Sequence, residues 1–245
     1  MMRKILAPLL ACALSLVTMP AFAGGSDEYY MKDGRICRSD TGKEVPKHAV
    51  HTARTKHGTF VWMAALPEMF DEMQGTERGI YIFQKESEEL VDVLPLRDGA
   101  PSQVAFSVSG KKLFTVCDTD EGRELSYYEF DKTGLSRKLT FQTQGHAVWI
   151  DWHRFAFTRN DMAKGPRSDT DKRSGWLSAV MYDSADDFIV PIKEATEKED
   201  FLFDSYDQKK FTLRILQRSV QDKSDWGKNG EVKETMLTEP VPAAG

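Results

Sequence analysis

Three histidines near the start of the chain could supply ligands to a metal ion. His48 and His51 are separated by two residues, and His57 follows shortly after them. Imidazole nitrogens are common zinc ligands, and such ligands are often supplied by neighbouring residues. Basic side chains occupy the same stretch and would repel a cation: Lys47, Arg54 and Lys56. A metal site and a solvated basic segment are therefore the two interpretations of this stretch.

A second candidate for metal binding is acidic. Asp118, Asp120 and Glu124 alternate with other residues around Gly122, which in outline is how a calcium loop arranges its carboxylates. The glycine falls one position early, and no bidentate glutamate closes the loop. An acidic β-hairpin loop is the alternative interpretation.

The tripeptide Asp151-Trp152-His153 places an acid, an aromatic ring and a base side by side. A general base must reach the proton that it removes, and neighbours on a strand point to opposite faces. The chain also lacks the G-x-S-x-G, H-E-x-x-H, G-x-G-x-x-G and G-K-[ST] signatures of hydrolases, zinc proteases and nucleotide-binding proteins. We therefore assign no catalytic residue and expect no cofactor.

Three tryptophans, Trp149, Trp152 and Trp176, form a candidate platform for a ligand. Packing between neighbouring β-sheets is the other interpretation of the same rings. Tryptophan serves both roles because its ring is large and apolar while its N–H can donate a hydrogen bond.

Residues 1–23 have the features of a cleavable signal peptide. Arg3 and Lys4 precede an uncharged apolar run, and Ala21-Phe22-Ala23 matches a small-residue cleavage site. Without this segment, 31 basic side chains remain against 38 acidic ones, a formal charge of −7. That charge disfavours nucleic acid and anionic membranes as partners, and no second apolar run is long enough for insertion into a membrane.

Two cysteines, Cys37 and Cys117, remain after removal of the signal peptide. An even count in an oxidising compartment favours a structural disulfide between them. Two separate thiols are the alternative.

The rest of the chain predicts short β-strands with a repeat. Tyr81 to Lys85 matches Tyr128 to Lys132, and Val180 to Asp183 follows the same pattern, at a spacing of about 45 to 50 residues that suits a four-stranded unit. A short helix is predicted over 67–75. The predicted core contains Leu113, Phe114, Phe130, Phe155, Phe157 and Phe211.

The segment from Phe106 to Leu113 reads F-S-V-S-G-K-K-L. It resembles the F-S-P-D-G-K-x-L turn of TolB-like and related WD-type β-propellers, although Val108 and Ser109 replace the usual proline and aspartate. The resemblance covers roughly residues 57 to 220 and implies an all-β, propeller-like array of about four antiparallel hairpin repeats. A β-sandwich or an open β-meander is the alternative fold.

These observations predict one β-rich domain over 24–222, followed by a polar, partly disordered tail over 223–245. The expected function is a non-catalytic periplasmic binding or scaffold protein that recognises an envelope protein or a small ligand. An envelope or extracellular enzyme using clustered Asp, Glu and His residues is one alternative. A metal-binding or sensing protein is the other.

Overall fold

The computed structural model describes residues 29–46, 50–55, 58–64, 79–95, 101–131, 134–167, 175–228 and 231–243. The predicted signal peptide and the helix predicted over 67–75 lie outside these residues. Within them the chain forms strands and two short 3-10 turns, with no α-helix and therefore no helix that could cross a membrane. The strands are β1 (Tyr29–Lys32), β2 (Arg35–Arg38), β3 (Val50–Thr55), β4 (Gly58–Ala64), β5 (Gly79–Gln84), β6 (Leu90–Pro95), β7 (Pro101–Phe106), β8 (Lys112–Thr119), β9 (Gly122–Asp131), β10 (Gly134–Trp149), β11 (Arg154–Asp161), β12 (Trp176–Asp183), β13 (Phe188–Lys193), β14 (Glu199–Asp207), β15 (Thr212–Ser219) and β16 (Lys233–Pro240).

Within each sheet, strands that are consecutive in the chain pair antiparallel, because most of the connections inside a sheet are short turns. After the β1-β2 hairpin, the strands form sheets of four (β3–β6), seven (β7–β13) and three (β14–β16). The long strand β10 pairs with β9 through its first part and with β11 through its last, with a break in register between Gln144 and Val148. We therefore distinguish four units: unit 1 (β3–β6), unit 2 (β7 to the first part of β10), unit 3 (the last part of β10 to β13) and unit 4 (β14–β16).

The hydrophobic core lies between the units. Trp62 and Ile82 of unit 1 pack with Leu113 and Tyr128 of unit 2. The other face of unit 2 packs on unit 3, and unit 3 in turn packs on β14 and β15. Strands such as β8 read as nearly continuous apolar runs because both of their faces are buried.

This stacking of meander sheets in chain order confirms the all-β, propeller-like array. Leu113, Phe114, Phe155 and Phe157 are fully buried, as predicted. Phe130 is only partly buried, and the prediction for Phe211 is wrong because 66% of this residue is exposed. Its position in the β14–β15 turn, outside the alternation of a strand, is the physical reason.

The domain extends past the boundary predicted at residue 222. Strand β16 pairs with β15 over its whole length, and Val241 packs against the core between units 3 and 4. Arg154 donates a hydrogen bond to the carbonyl of Pro242 at 2.7 Å. The segment predicted as a tail is therefore part of the folded domain over residues 231–243.

The predicted Cys37–Cys117 disulfide is not formed, and both thiols are free. Cys37 lies on β2, whose hairpin packs on one face of unit 1, whereas Cys117 lies on β8 of unit 2, which packs on the other face. A disulfide needs its two Cα atoms within about 7 Å, and a whole sheet separates these cysteines. Burial also raises the pKa of the Cys117 thiol.

Candidate binding surface

The predicted histidine cluster is described only at His51, because His48 and His57 lie outside the described residues. The His51 ring stacks on Phe106 with the ring centroids 4.0 Å apart, which ties β3 of unit 1 to β7 of unit 2. Burial lowers the pKa of the imidazole because it disfavours the charged form. The described part of the chain therefore assigns His51 a packing role.

Because of His51, we expect the free energy of unfolding to decrease as the pH falls. A histidine whose pKa is lower in the folded state contributes stability above its unfolded pKa of about 6.5, and this is lost as the pH falls below that value. The free energy of unfolding should decrease between pH 7 and pH 5.5, and less so in His51→Phe, which keeps the ring. Urea denaturation at several pH values measures this; equal slopes in both proteins would contradict it.

The acidic candidates lie on the β8-β9 hairpin, where Asp120 and Glu121 form the turn between paired Thr119 and Gly122. The Arg123 guanidinium neutralises Asp118, with Nε 2.7 Å from Oδ1. Glu124 accepts a hydrogen bond from Ser126 at 3.0 Å. No three His, Cys, Asp or Glu residues in the described ranges are placed to bind a metal together.

The three tryptophans of the candidate platform have separate surroundings. Trp149 packs against Phe114 and Phe155 between units 2 and 3, and its indole N–H donates to the Ala105 carbonyl at 3.0 Å. Trp176 lies 4.3 Å from the guanidinium of Arg167. Trp152 alone is largely exposed, by 64%.

Trp152 belongs to a different group, the exposed apolar side chains at one edge of the array. Val108, Trp152 and Phe211 are exposed by 79%, 64% and 66%, the three largest values among the exposed hydrophobic residues described. They lie in the β7–β8, β10–β11 and β14–β15 turns, which join the first and second strands of units 2, 3 and 4. We call this edge the apolar turn edge.

Direct contacts place the three turns at the same edge. Lys112, at the start of β8, lies 3.4 Å from His153 of the β10–β11 turn. Arg154, which follows that turn as the first residue of β11, donates a hydrogen bond to the carbonyl of Pro242, and the adjacent Val241 N–H donates to the Phe211 carbonyl at 3.1 Å. These contacts link the β7–β8, β10–β11 and β14–β15 turns at one edge of units 2, 3 and 4.

Each turn is held by a polar side chain at or just after the end of its first strand. Asp151 accepts from the N–H groups of His153 and Arg154, both at 2.9 Å. Asp207 accepts in the same way from Lys209 and Lys210, at 3.0 and 3.2 Å. In the β7–β8 turn, Ser107 accepts from the N–H of Lys112. Because these hydrogen bonds hold their backbones, such turns lose little backbone conformational entropy when they bind a partner.

A polar network fixes the turn that carries Trp152. Lys112 Nζ donates to Ser184 Oγ at 2.7 Å, and Ser184 donates to the His153 carbonyl at 2.7 Å. The same ammonium lies 3.8 Å from Glu129, which accepts a hydrogen bond from the Tyr127 hydroxyl. Burial and this carboxylate raise the pKa of Tyr127.

The Lys112–Ser184 pair also invites a catalytic interpretation, because a lysine beside a serine can act as a base toward a nucleophile. A base toward Ser184 would have to accept its proton, whereas Lys112 Nζ donates a hydrogen bond to Ser184 Oγ. The Ser184 proton is directed at a backbone carbonyl and not at Lys112. The network therefore holds the β10–β11 turn of unit 3 against unit 2.

Exposed cations accompany the apolar side chains. Lys111 and Lys209 flank the turns and have no ion-pair partner among the residues that the structure describes. Lys210 lies 4.0 Å from Asp207, whose other oxygen holds the turn. The apolar turn edge thus carries lysine ammonium groups beside its aromatic and aliphatic side chains, although the whole chain is acidic.

Phe211 adopts a backbone conformation that is unfavourable for its type. Its φ is 53°, in the left-handed region, which costs an L-residue with a bulky side chain about 1 to 2 kcal/mol. Its side chain is mostly exposed, so little burial offsets this cost. Strained residues that packing does not explain are concentrated at functional sites.

A concave site for a small ligand is less developed. An open cavity of about 450 Å³ lies at the opposite end of the sheets, lined by Thr196, Glu197, Lys198, Glu199, Ser219 and Val220. Small-molecule sites are mostly apolar and enclosed, whereas five of these six residues are polar.

Sequence reasoning singled out Trp152 but grouped it with Trp149 and Trp176, whose surroundings differ from its own. It missed Val108 and assigned Phe211 to the core. Turn chemistry could have identified all three, since Ser107, Asp151 and Asp207 each begin a polar turn in which an apolar residue has no strand to pack on.

No protein-family model matches the chain, and no curated protein sequence matches it either. Solved structures similar to it include TolB from Acinetobacter baumannii, with 10% identity, a TM-score of 0.36, and coverage of 87% of this chain and 54% of TolB. A complex of KlAtg21 with the coiled-coil of AgAtg16 has 10% identity, a TM-score of 0.36, and coverage of 85% and 65%. The β-propeller domain of Myceliophteria thermophila Cps50 (Swd1) has 9% identity, a TM-score of 0.34, and coverage of 78% and 74%. The chain thus spans about half of TolB and about two thirds of KlAtg21.

Proposed function

We propose that this protein is a non-catalytic binding or scaffold protein that recognises another protein through the apolar turn edge. The observation that carries this proposal is the exposure of Val108, Trp152 and Phe211 on neighbouring turns. Exposed apolar side chains that cluster on one surface typically mark interaction sites, whereas single ones are common on any surface. Tryptophan and phenylalanine are also enriched at protein interfaces.

Charge indicates the kind of partner. Lys111 and Lys209 offer ammonium groups beside the apolar side chains, so the partner segment should carry carboxylates among its apolar residues. An anionic membrane would offer both features too, but the net negative charge of the chain opposes its approach.

Site-specific photocrosslinking tests this function. A photoreactive phenylalanine analogue replaces Trp152 or Phe211 in the full chain, in the cells that produce it. A matched control replaces Glu121, which is also exposed but lies in a turn at the opposite end of the sheets. We expect a protein adduct of the same mass from positions 152 and 211 and none from 121. Equal adducts from all three positions, or adducts only to lipid, would overturn the proposal.

The proposal includes the compartment. Arg3, Lys4 and the Ala21-Phe22-Ala23 site support export and cleavage before Gly24, which would place the partner in the cell envelope. We expect the mass of the protein from the periplasmic fraction to correspond to a chain that begins at Gly24. A mass that retains residues 1–23 would contradict this prediction.

A further inference from the structure

The outer strands of the first three units share a feature that discourages further pairing. In β6, β10 and β13, one residue has no partner on the adjacent strand, so the register shifts there. These residues are Val91, Lys138 and Ile192. Such β-bulges interrupt the ladder of hydrogen bonds and protect the edge of a sheet from an additional strand.

Strand β16, at the edge of unit 4, lacks this feature. It pairs with β15 residue for residue, from Lys233 opposite Ser219 to Pro240 opposite Thr212. The third strands of the other units, β5, β9 and β12, pair with their second strands in the same unbroken way. By its place in the chain and its unbroken register with β15, β16 is therefore the third strand of unit 4. The described residues supply no fourth strand to this unit.

The edge of β16 is also accessible. Lys233 to Met236 are all exposed, and Met236 is a large apolar side chain exposed by 40%. An edge strand directs unpaired N–H and C=O groups outward, where another extended chain can pair with them. Pro240 removes one donor, but only at the last position of the strand.

We propose that β16 pairs antiparallel with β16 of a second copy of this chain, so that the two copies of unit 4 form one six-stranded sheet. A two-fold axis through Met236 places the exposed methionines opposite each other. The same register places Lys233 of each copy opposite Glu239 of the other. Residues opposite each other on antiparallel strands share a face, and opposite charges there are stabilising.

The charge pattern is the reason for choosing a second copy over an unrelated strand. A single register of two β16 strands places the two methionines opposite each other at the centre and forms two Lys–Glu ion pairs, using only residues of β16. A single pair of strands buries less area than a standard interface, so we expect a dissociation constant on the order of 10 μM. This association does not involve the apolar turn edge and does not depend on the proposed function.

Charge reversal gives a test with an internal control. Lys233→Glu creates two Glu–Glu pairs in its homodimer, and Glu239→Lys creates two Lys–Lys pairs. Each variant should weaken self-association at least about tenfold. A mixture of the two variants pairs Glu with Lys at both positions and should restore a heterodimer. Glu239 also lies 2.9 Å from Lys193, but this ion pair is partly exposed and contributes little to folding.

Sedimentation equilibrium from 1 to 500 μM measures the association, with Lys43→Glu as an exposed control away from β16. The proposal expects a concentration-dependent dimer for wild type and for the control, and recovery in the mixture. A monomer at 500 μM, or a mixture no better than either variant alone, would overturn it. If a variant fails to fold, hydrogen exchange of the wild-type protein provides the test. Only the backbone amides of residues 233–240 should exchange more slowly as the protein concentration rises.

Discussion

Replacing Phe155 with alanine should lower the free energy of unfolding by about 3 to 5 kcal/mol. The residue is fully buried between units 2 and 3, and its ring contacts Phe114, Tyr127, Trp149, Phe157 and Tyr182 at centroid distances of 5.2 to 5.7 Å. Truncation removes apolar burial and leaves a cavity among rings that belong to both units. Rigid strands on either side limit how far that cavity can collapse.

Chemical denaturation of the variant measures this loss. Trp152→Ala is the matched control, because it removes a larger ring from an exposed turn and should change stability by about 0.5 kcal/mol or less. If both variants lost the same stability, the assignment of the core between units 2 and 3 would be wrong.

Replacing Arg167 with methionine should also lower the free energy of unfolding by about 3 to 5 kcal/mol, by leaving a buried carboxylate without its partner. The Arg167 and Asp200 side chains are only 5% and 2% exposed, and Nη2 lies 2.8 Å from the carboxylate. The guanidinium lies between the rings of Trp176 and Trp226, at 4.3 and 4.5 Å from their centroids.

The same nitrogen donates to the carbonyls of Thr196 and Glu199, so it ties the β13–β14 connection to unit 3. Lysine lacks the planar fork and should restore only part of the loss. In a double-mutant cycle with Asp200→Asn, the second substitution should cost less in the Arg167→Met background than in wild type. Additive losses would show that the two side chains are not coupled.

The fold was predictable from sequence where periodicity determines burial. Leu113, Phe114, Phe155 and Phe157 lie in short runs of strand-forming residues, and all four are buried. The repeat of the Tyr81 and Tyr128 segments reflects equivalent third strands, β5 and β9, in consecutive units.

The candidate site was less predictable because it depends on how the units stack. Trp149 and Trp152 are three residues apart, yet one is packed between units and the other is exposed in a turn. The distance between Cys37 and Cys117 likewise depends on the sheet that lies between them. Neither the composition of the chain nor the spacing of its residues indicates which faces of neighbouring sheets pack against each other.

The central claim is that the aromatic side chains of the apolar turn edge serve binding and not folding. Thermal unfolding of Phe211→Asn tests it most directly, because asparagine tolerates the positive φ of this residue while the exposed ring contributes little burial. We predict that the variant is more stable than wild type by about 1 kcal/mol, the cost of holding phenylalanine in this conformation. A loss of 1 kcal/mol or more would instead show that Phe211 stabilises the fold, and would contradict the account.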